Sequence, residues 1–144
     1  MDKRACLLFI MLLCTYLPAV PAQTHQPKVD LRPQFYRLAL MPRSQGKRGS
    51  CQVFAMVGVI EFQLAKRGKP VDLSEQFLMW SSNRVSGQRD RTKGFNPDRL
   101  IAGLKRHGIC DESLMPYVPR NERIGTPSKA AIEDAQRRLS LIHI

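Results

Sequence analysis

From Cys51 the chain runs almost without polar interruption through Val53, Phe54, Ala55, Met56, Val57, Val59, Ile60, Phe62 and Leu64. A run apolar on nearly every face predicts a helix buried in a domain core, with Lys66, Arg67 and Gly68 closing it. Ser74 is a cap for a helix over Glu75 to Asn83 that turns Phe77, Leu78 and Trp80 inward. Asn96-Pro97 supplies a cap and a first-position proline for a helix to His107, with Leu100, Ile101 and Leu104 on one face and Gly108 as its stop. Thr126-Pro127 opens another through Arg138, carrying Ala131, Ile132 and Ala135. Val29 to Gly49 reads as an extended segment and loop, in which Phe35, Tyr36, Leu38 and Leu40 give some alternation. The polar stretch Ser81 to Lys93, with Gly87 inside it, reads as a surface loop.

The amino-terminal pattern is of another kind. Lys3 and Arg4, the apolar run Cys6 to Leu17, and then Pro18-Ala19-Val20-Pro21-Ala22 have the grammar of a secretory signal over residues 1–22. The apolar run is short for a membrane span, so the expected product is secreted or periplasmic, with no membrane attachment after cleavage and a short polar leader over 23–28. Export removes Cys6 and Cys14 and leaves Cys51 and Cys110, too few for a disulfide scaffold. Cys110 is expected buried and Cys51 free.

The formal charge of +11 supports loose attraction to anionic surfaces. Lys47, Arg48, Arg84, Arg89, Arg91, Lys93, Lys105 and Arg106 are scattered, with no interleaved aromatics and no zinc-ligand spacing. Specific nucleic-acid binding is therefore not expected, and a solvated basic face is the simpler reading. Neither a metal nor a cofactor is called for.

Gln45-Gly46-Lys47-Arg48-Gly49-Ser50-Cys51 carries the chemistry. A thiol is a nucleophile only as the thiolate, and the N–H groups of a helix N-terminus favour that charge. Singly, Cys51 reads as a small buried hydrophobe and Gln45 as a solvated loop residue; their spacing ahead of an apolar helix joins them.

That segment resembles the Q-G-x-x-G-S-C-W-A-F of papain-like cysteine proteases. Val29-Asp30-Leu31-Arg32 is similar to their V-D-W-R opening, Leu73-Ser74-Glu75-Gln76 to their L-S-E-Q, and Gly94-Phe95 to the end of N-G-G-[YF]. Gly108-Ile109 and Met115-Pro116-Tyr117 follow in the family's order. The resemblance implies an α+β, papain-like fold, represented here by the helical left-hand domain over 29–125 with the helix 126–138 leading toward a β-rich right-hand domain. It implies a peptidase acting on peptide or protein substrates, with Cys51 as nucleophile and Gln45 in the oxyanion hole. Gly94 would let the substrate backbone lie close, and Phe95 would border an apolar pocket.

Three departures accompany it: Arg48 replaces a cysteine that commonly forms a disulfide, Gln52 replaces a tryptophan, and Lys93 replaces a glycine. The family's histidine and asparagine lie roughly 130 to 150 residues beyond the cysteine, past the last residue given. His25 falls in the leader, and His107 reads as a cation favourable to the end of its helix. Leu139 to Ile144, including His143, resembles a translated transposon-end sequencing adaptor, so the gene is expected to continue after Arg138 and the chain to be inactive alone. The rival expectations are a catalytically dead papain-like binding protein and a basic adhesion module.

Overall fold

The computed structural model describes residues 29–88, 94–120 and 122–142. The signal-sequence and leader calls lie outside the described residues, as do Lys93 and His143. Leu31–Ile144 forms one compact unit. It is built from α1 (Arg32–Arg37), α2 (Cys51–Lys66), α3 (Glu75–Ser86), α4 (Pro97–His107), a 3-10 turn (Glu112–Leu114) and α5 (Lys129–Ile142). Among the described residues the sole β feature is one antiparallel bridge, Leu73 with Asp111. Around it Ser74 N donates to Cys110 O at 3.0 Å and Glu112 N to Asp72 O at 2.9 Å.

The core is the meeting place of α2, α3 and α4. Val53, Val57 and Ile60 pack with Phe77 and Leu78, with Leu100 and Leu104, and with Ile109 and Cys110. Only one side of α2 reaches this core: Val59 is 60% exposed, so the expectation of a helix buried nearly all round is corrected. Its apolar excess faces solvent along Ala55 and Val59.

The segment expected to be extended contains α1. Pro33 in its first turn fixes a helical φ where the missing N–H costs nothing. Leu40 N closes on Phe35 O at 3.0 Å, with Ala39 at a left-handed φ of +56°. Phe35 then stacks on Phe62, ring centroids 4.4 Å apart.

Ser74 caps α3 as expected, its hydroxyl accepting from Phe77 N at 3.0 Å while donating to Met115 O at 2.6 Å. The helix runs past Asn83 to Ser86 before Gly87 turns left-handed, which corrects the loop expected from Ser81. Ser81 and Ser82 are buried because α4 crosses them closely. A Cβ at Gly103 would stand 2.7 Å from both Ser81 Oγ and Ser82 N. Their hydroxyls are small, and Ser81 Oγ donates back to Leu78 O at 3.0 Å.

Asn96 caps α4 through Asp98 N at 2.8 Å. Leu100 and Leu104 are buried, whereas Ile101 is 41% exposed and leaves the apolar face assigned to it. Helix α5 begins at Lys129, three residues later than Thr126-Pro127 suggested, and continues through 142. It lies on the unit: Ala131 and Ala135 are fully buried, and the Ala135 carbonyl fills the space a side chain at Gly108 would need. Tyr36 is 60% exposed, whereas Leu38, Leu40, Ile132 and Leu139 are half-buried.

Candidate active site

Cys51 is the first residue of α2 and is exposed. Ser50 occupies the capping position but its side chain does not cap the helix; its hydroxyl meets Tyr117 Oη at 2.7 Å instead. Val53 N and Phe54 N close on Ser50 O at 2.9 and 3.2 Å, so it is the Cys51 and Gln52 N–H groups that are left to whatever occupies the space before the helix. Among the described residues the Cys51 N–H has no acceptor. A thiolate at such a position is favoured by the helix dipole, and an oxygen anion beside it finds a ready donor.

Cys51 lines a cleft of about 500 Å³ with Gly49, Gln52, Gly94, Phe95, Asn96, Pro97 and Arg99. Gly94 holds a left-handed φ of +68°, and its N–H donates to Gly49 O at 2.9 Å. That bond ties the glycine segment to the nucleophile loop in the region where Arg48 excludes a disulfide. Phe95 is only 3% exposed, so it reaches the cleft as part of its floor while most of its ring belongs to the core.

Gln45 is half-buried, and its Nε2 donates to Arg48 O at 2.8 Å. Because a carbonyl can only accept, this bond fixes the amide's nitrogen end toward the loop and leaves a second N–H on the same nitrogen. Gln45 is not among the residues lining the cleft of Cys51. The structure brings Cys51, Gly94 and Phe95 to one cleft; Gln45 does not line it, and its amide bonds to the Arg48 carbonyl of its own loop.

A larger cavity of about 650 Å³ lies between α1 and α2, lined among others by Phe35, Tyr36, Met41, Phe54 and Glu61. It includes none of the candidate site residues. At its edge Arg43 gathers three carboxylates. Nη1 is 2.6 Å from Asp72 Oδ1, and Nη2 is 3.0 Å from Glu61 and 2.8 Å from Glu75, the last without hydrogen-bond alignment. Burial dominates over Arg43 and pushes the Glu75 carboxyl from 4.5 up to about 7. Glu61 and Glu112 shift upward for the same reason.

Burial pushes the Cys110 thiol up to about 12, which makes it inert beside the exposed Cys51. His107 is held below its ordinary value by burial and by Arg106 and Arg84. It packs on Trp80, ring centroids 5.2 Å apart, and the downward shift weakens its reading as a helix-end cation. It does not line the Cys51 cleft. The described residues include no acid cluster suited to a metal ion, and no described helix is long and apolar enough to cross a membrane.

Sequence reasoning missed the supports of the site. Arg48, marked only as a missing cysteine, is 1% exposed. Its Nη1 donates to Gln76 Oε1 and Val118 O, each at 2.9 Å, and its Nη2 to Glu122 O at 2.6 Å. Tyr117 Oη donates to Gln45 O at 2.9 Å. These partners lie far along the chain, and no local pattern announces them.

Comparison with known proteins agrees with this geometry. Residues 26–140 match the model of the papain family cysteine proteases. The chain is 37% identical over 83 residues to cathepsin K of Gallus gallus and 36% identical over 74 residues to cathepsin S of Bos taurus. Those alignments take in 56% and 51% of this chain but only 23% and 22% of the cathepsins. Among solved structures it is similar to xylellain, a cysteine protease from Xylella fastidiosa, with a TM-score of 0.56 and 24% identity, covering 67% of this chain and 43% of that one. The last likeness shows the fold, here the helical part of a papain-like α+β protein. The family match spans well over half of the sequence, from before α1 to residue 140 within α5, so the chain belongs to the papain family of cysteine proteases.

Proposed function

We propose that this chain carries the nucleophile half of a cysteine peptidase acting on peptide or protein substrates. The observation that carries the reading is the exposed Cys51 at a helix N-terminus whose capping serine is turned away. The Cys51 thiolate attacks the scissile carbonyl carbon, and the oxyanion is met by the Cys51 N–H and by the second N–H of Gln45 Nε2. The bond to the leaving amine then breaks, the amine taking a proton, and water hydrolyses the thioester. Gly94 and Phe95 form the wall on which the acyl half of the substrate lies. In the family resemblance the proton is moved by a histidine oriented by an asparagine, and the described residues bring no histidine to the Cys51 cleft.

The signal-like start supports export to a secreted or periplasmic location. Gln52, exposed beside Cys51 where the family usually has tryptophan, favours the second reading, a papain-like protein that binds peptides without cleaving them. One experiment separates the two. Cys51 is labelled with a peptidyl epoxysuccinate and with iodoacetamide, each normalised to glutathione. A peptidase half-site reacts preferentially with the epoxide in a Gln45-dependent way, whereas equal reactivity favours the binding protein.

A further inference from the structure

The loop that carries both Gln45 and Cys51 is shaped by groups that do no chemistry. We propose that the Tyr117 hydroxyl, backed by the buried Arg48 guanidinium, is a positioning group of the site. It clasps the two ends of the Gln45–Ser50 loop and so sets where Gln45 is held relative to Cys51. The inference rests on the reading of Cys51 and Gln45 as nucleophile and oxyanion donor.

Ser50 Oγ lies 3.5 Å from Arg48 O and 2.7 Å from Tyr117 Oη, and the shorter contact takes its single proton. Tyr117 Oη has one proton, and the Gln45 carbonyl 2.9 Å away can only accept it. The contact of 2.7 Å with Ser50 Oγ is then a bond donated by the serine. One hydroxyl thus joins residue 45, whose side chain would meet the oxyanion, to residue 50, whose peptide carries the Cys51 N–H. Holding Ser50 this way also keeps its hydroxyl from capping α2. The positioning bond and the open helix end are one arrangement.

The surroundings keep Tyr117 in register with the loop. Lys47 N donates to Pro119 O at 3.3 Å. Gly46, at a φ of +63°, lies so close that a Cβ there would stand 2.7 Å from Pro119 O. Arg48 spans the same contact from within, reaching Val118 O, Glu122 O and Gln76 Oε1, with its guanidinium 6.0 Å from the centre of the Tyr117 ring. A buried guanidinium is an expensive way to fill space, and an apolar side chain of similar volume would do so at less cost. What it adds is direction: its fork holds three acceptors at once. The Arg48 carbonyl, fixed by that anchoring, is the one that accepts from Gln45 Nε2 at 2.8 Å.

The test is Tyr117→Phe in the full chain, because the ring and its edge-on packing against Phe54, 4.8 Å between centroids, are kept and only the hydroxyl is lost. Two quantities are read well below the thermal midpoint. One is the NMR signal of the Gln45 side-chain amide, assigned with Gln45→Ala; the other is the ratio of peptidyl epoxysuccinate to iodoacetamide labelling at Cys51. Positioning predicts that the amide moves toward the position of a solvated glutamine and that the ratio falls about tenfold, in line with the steep cost of misplaced reacting groups. Arg48→Met should do the same, and if it fails to fold Tyr117→Phe decides alone. An unmoved amide, or a ratio within about twofold of the unsubstituted chain, overturns the proposal. If Gln45→Ala itself leaves the ratio unchanged, the peptidase reading fails, and the amide signal still decides whether Tyr117 holds the loop.

Discussion

Under the proposed function, Gln45 and Cys51 are useful together only if the amide nitrogen, not its oxygen, faces the oxyanion; the bond from Nε2 to Arg48 O fixes which end of the amide turns toward the loop. Removing one such donor typically costs about 3 kcal/mol of transition-state stabilisation. In the protein that includes the catalytic histidine, Gln45→Ala is expected to lower kcat/KM about a hundredfold or more with little change in thermal midpoint. Glu75 gives a second prediction at this scale. Its folded-state pKa of about 7 lies above the ordinary 4.5, so the folded chain binds the proton more tightly than the unfolded one. Its contribution is fully present below pH 4.5 and is lost as pH rises toward 7. The shift is worth on the order of 3 kcal/mol, and Glu61 and Glu112 act in the same direction. Urea midpoints are expected to fall from pH 5 to pH 8, and Glu75→Gln should flatten that fall.

Among the elements, α3 depends on a single hydroxyl for both its start and its anchorage. Ser74 accepts from Phe77 N and donates to Met115 O, so Ser74→Ala loses a cap and strands a buried carbonyl. The expected destabilisation is about 2–4 kcal/mol, read from chemical denaturation. Helix starts were legible in the sequence where a side chain makes them: Ser74 and Asn96 sit where caps are observed, and Cys51 opens α2. Helix lengths and faces were less so. Ser81 and Ser82 are polar by composition yet buried by the approach of Gly103, a tertiary contact that local polarity does not encode. Ile101 has the right spacing but lies at the edge of the α4 face, where the core has ended. In the candidate site, Cys51, Gly94 and Phe95 were legible from their motifs and share a cleft. Arg48 and Tyr117 were not, because their meaning comes from partners that the fold alone brings near.

For the molecule as a whole, the chain spans about a quarter of the length of the curated relatives it matches. The described residues bring no imidazole to the Cys51 cleft. Tyr36, Met41 and Val59 are each about 60% exposed, and Tyr36 and Met41 line one cavity. The isolated chain is expected to bind a hydrophobic dye, and Tyr36→Ser with Met41→Ser is expected to reduce that signal. It is also expected to leave fluorogenic dipeptides intact.

The central claim is that Cys51 is a nucleophile prepared by its place in the fold. It is tested most directly by the rate at which a peptidyl epoxysuccinate labels the intact chain, located by mass spectrometry of its peptides. The account predicts modification at Cys51 and not at buried Cys110, faster than for glutathione at the same pH and slowed by Gln45→Ala. Labelling at the rate of glutathione and indifferent to Gln45, or divided equally between the two cysteines, would contradict it.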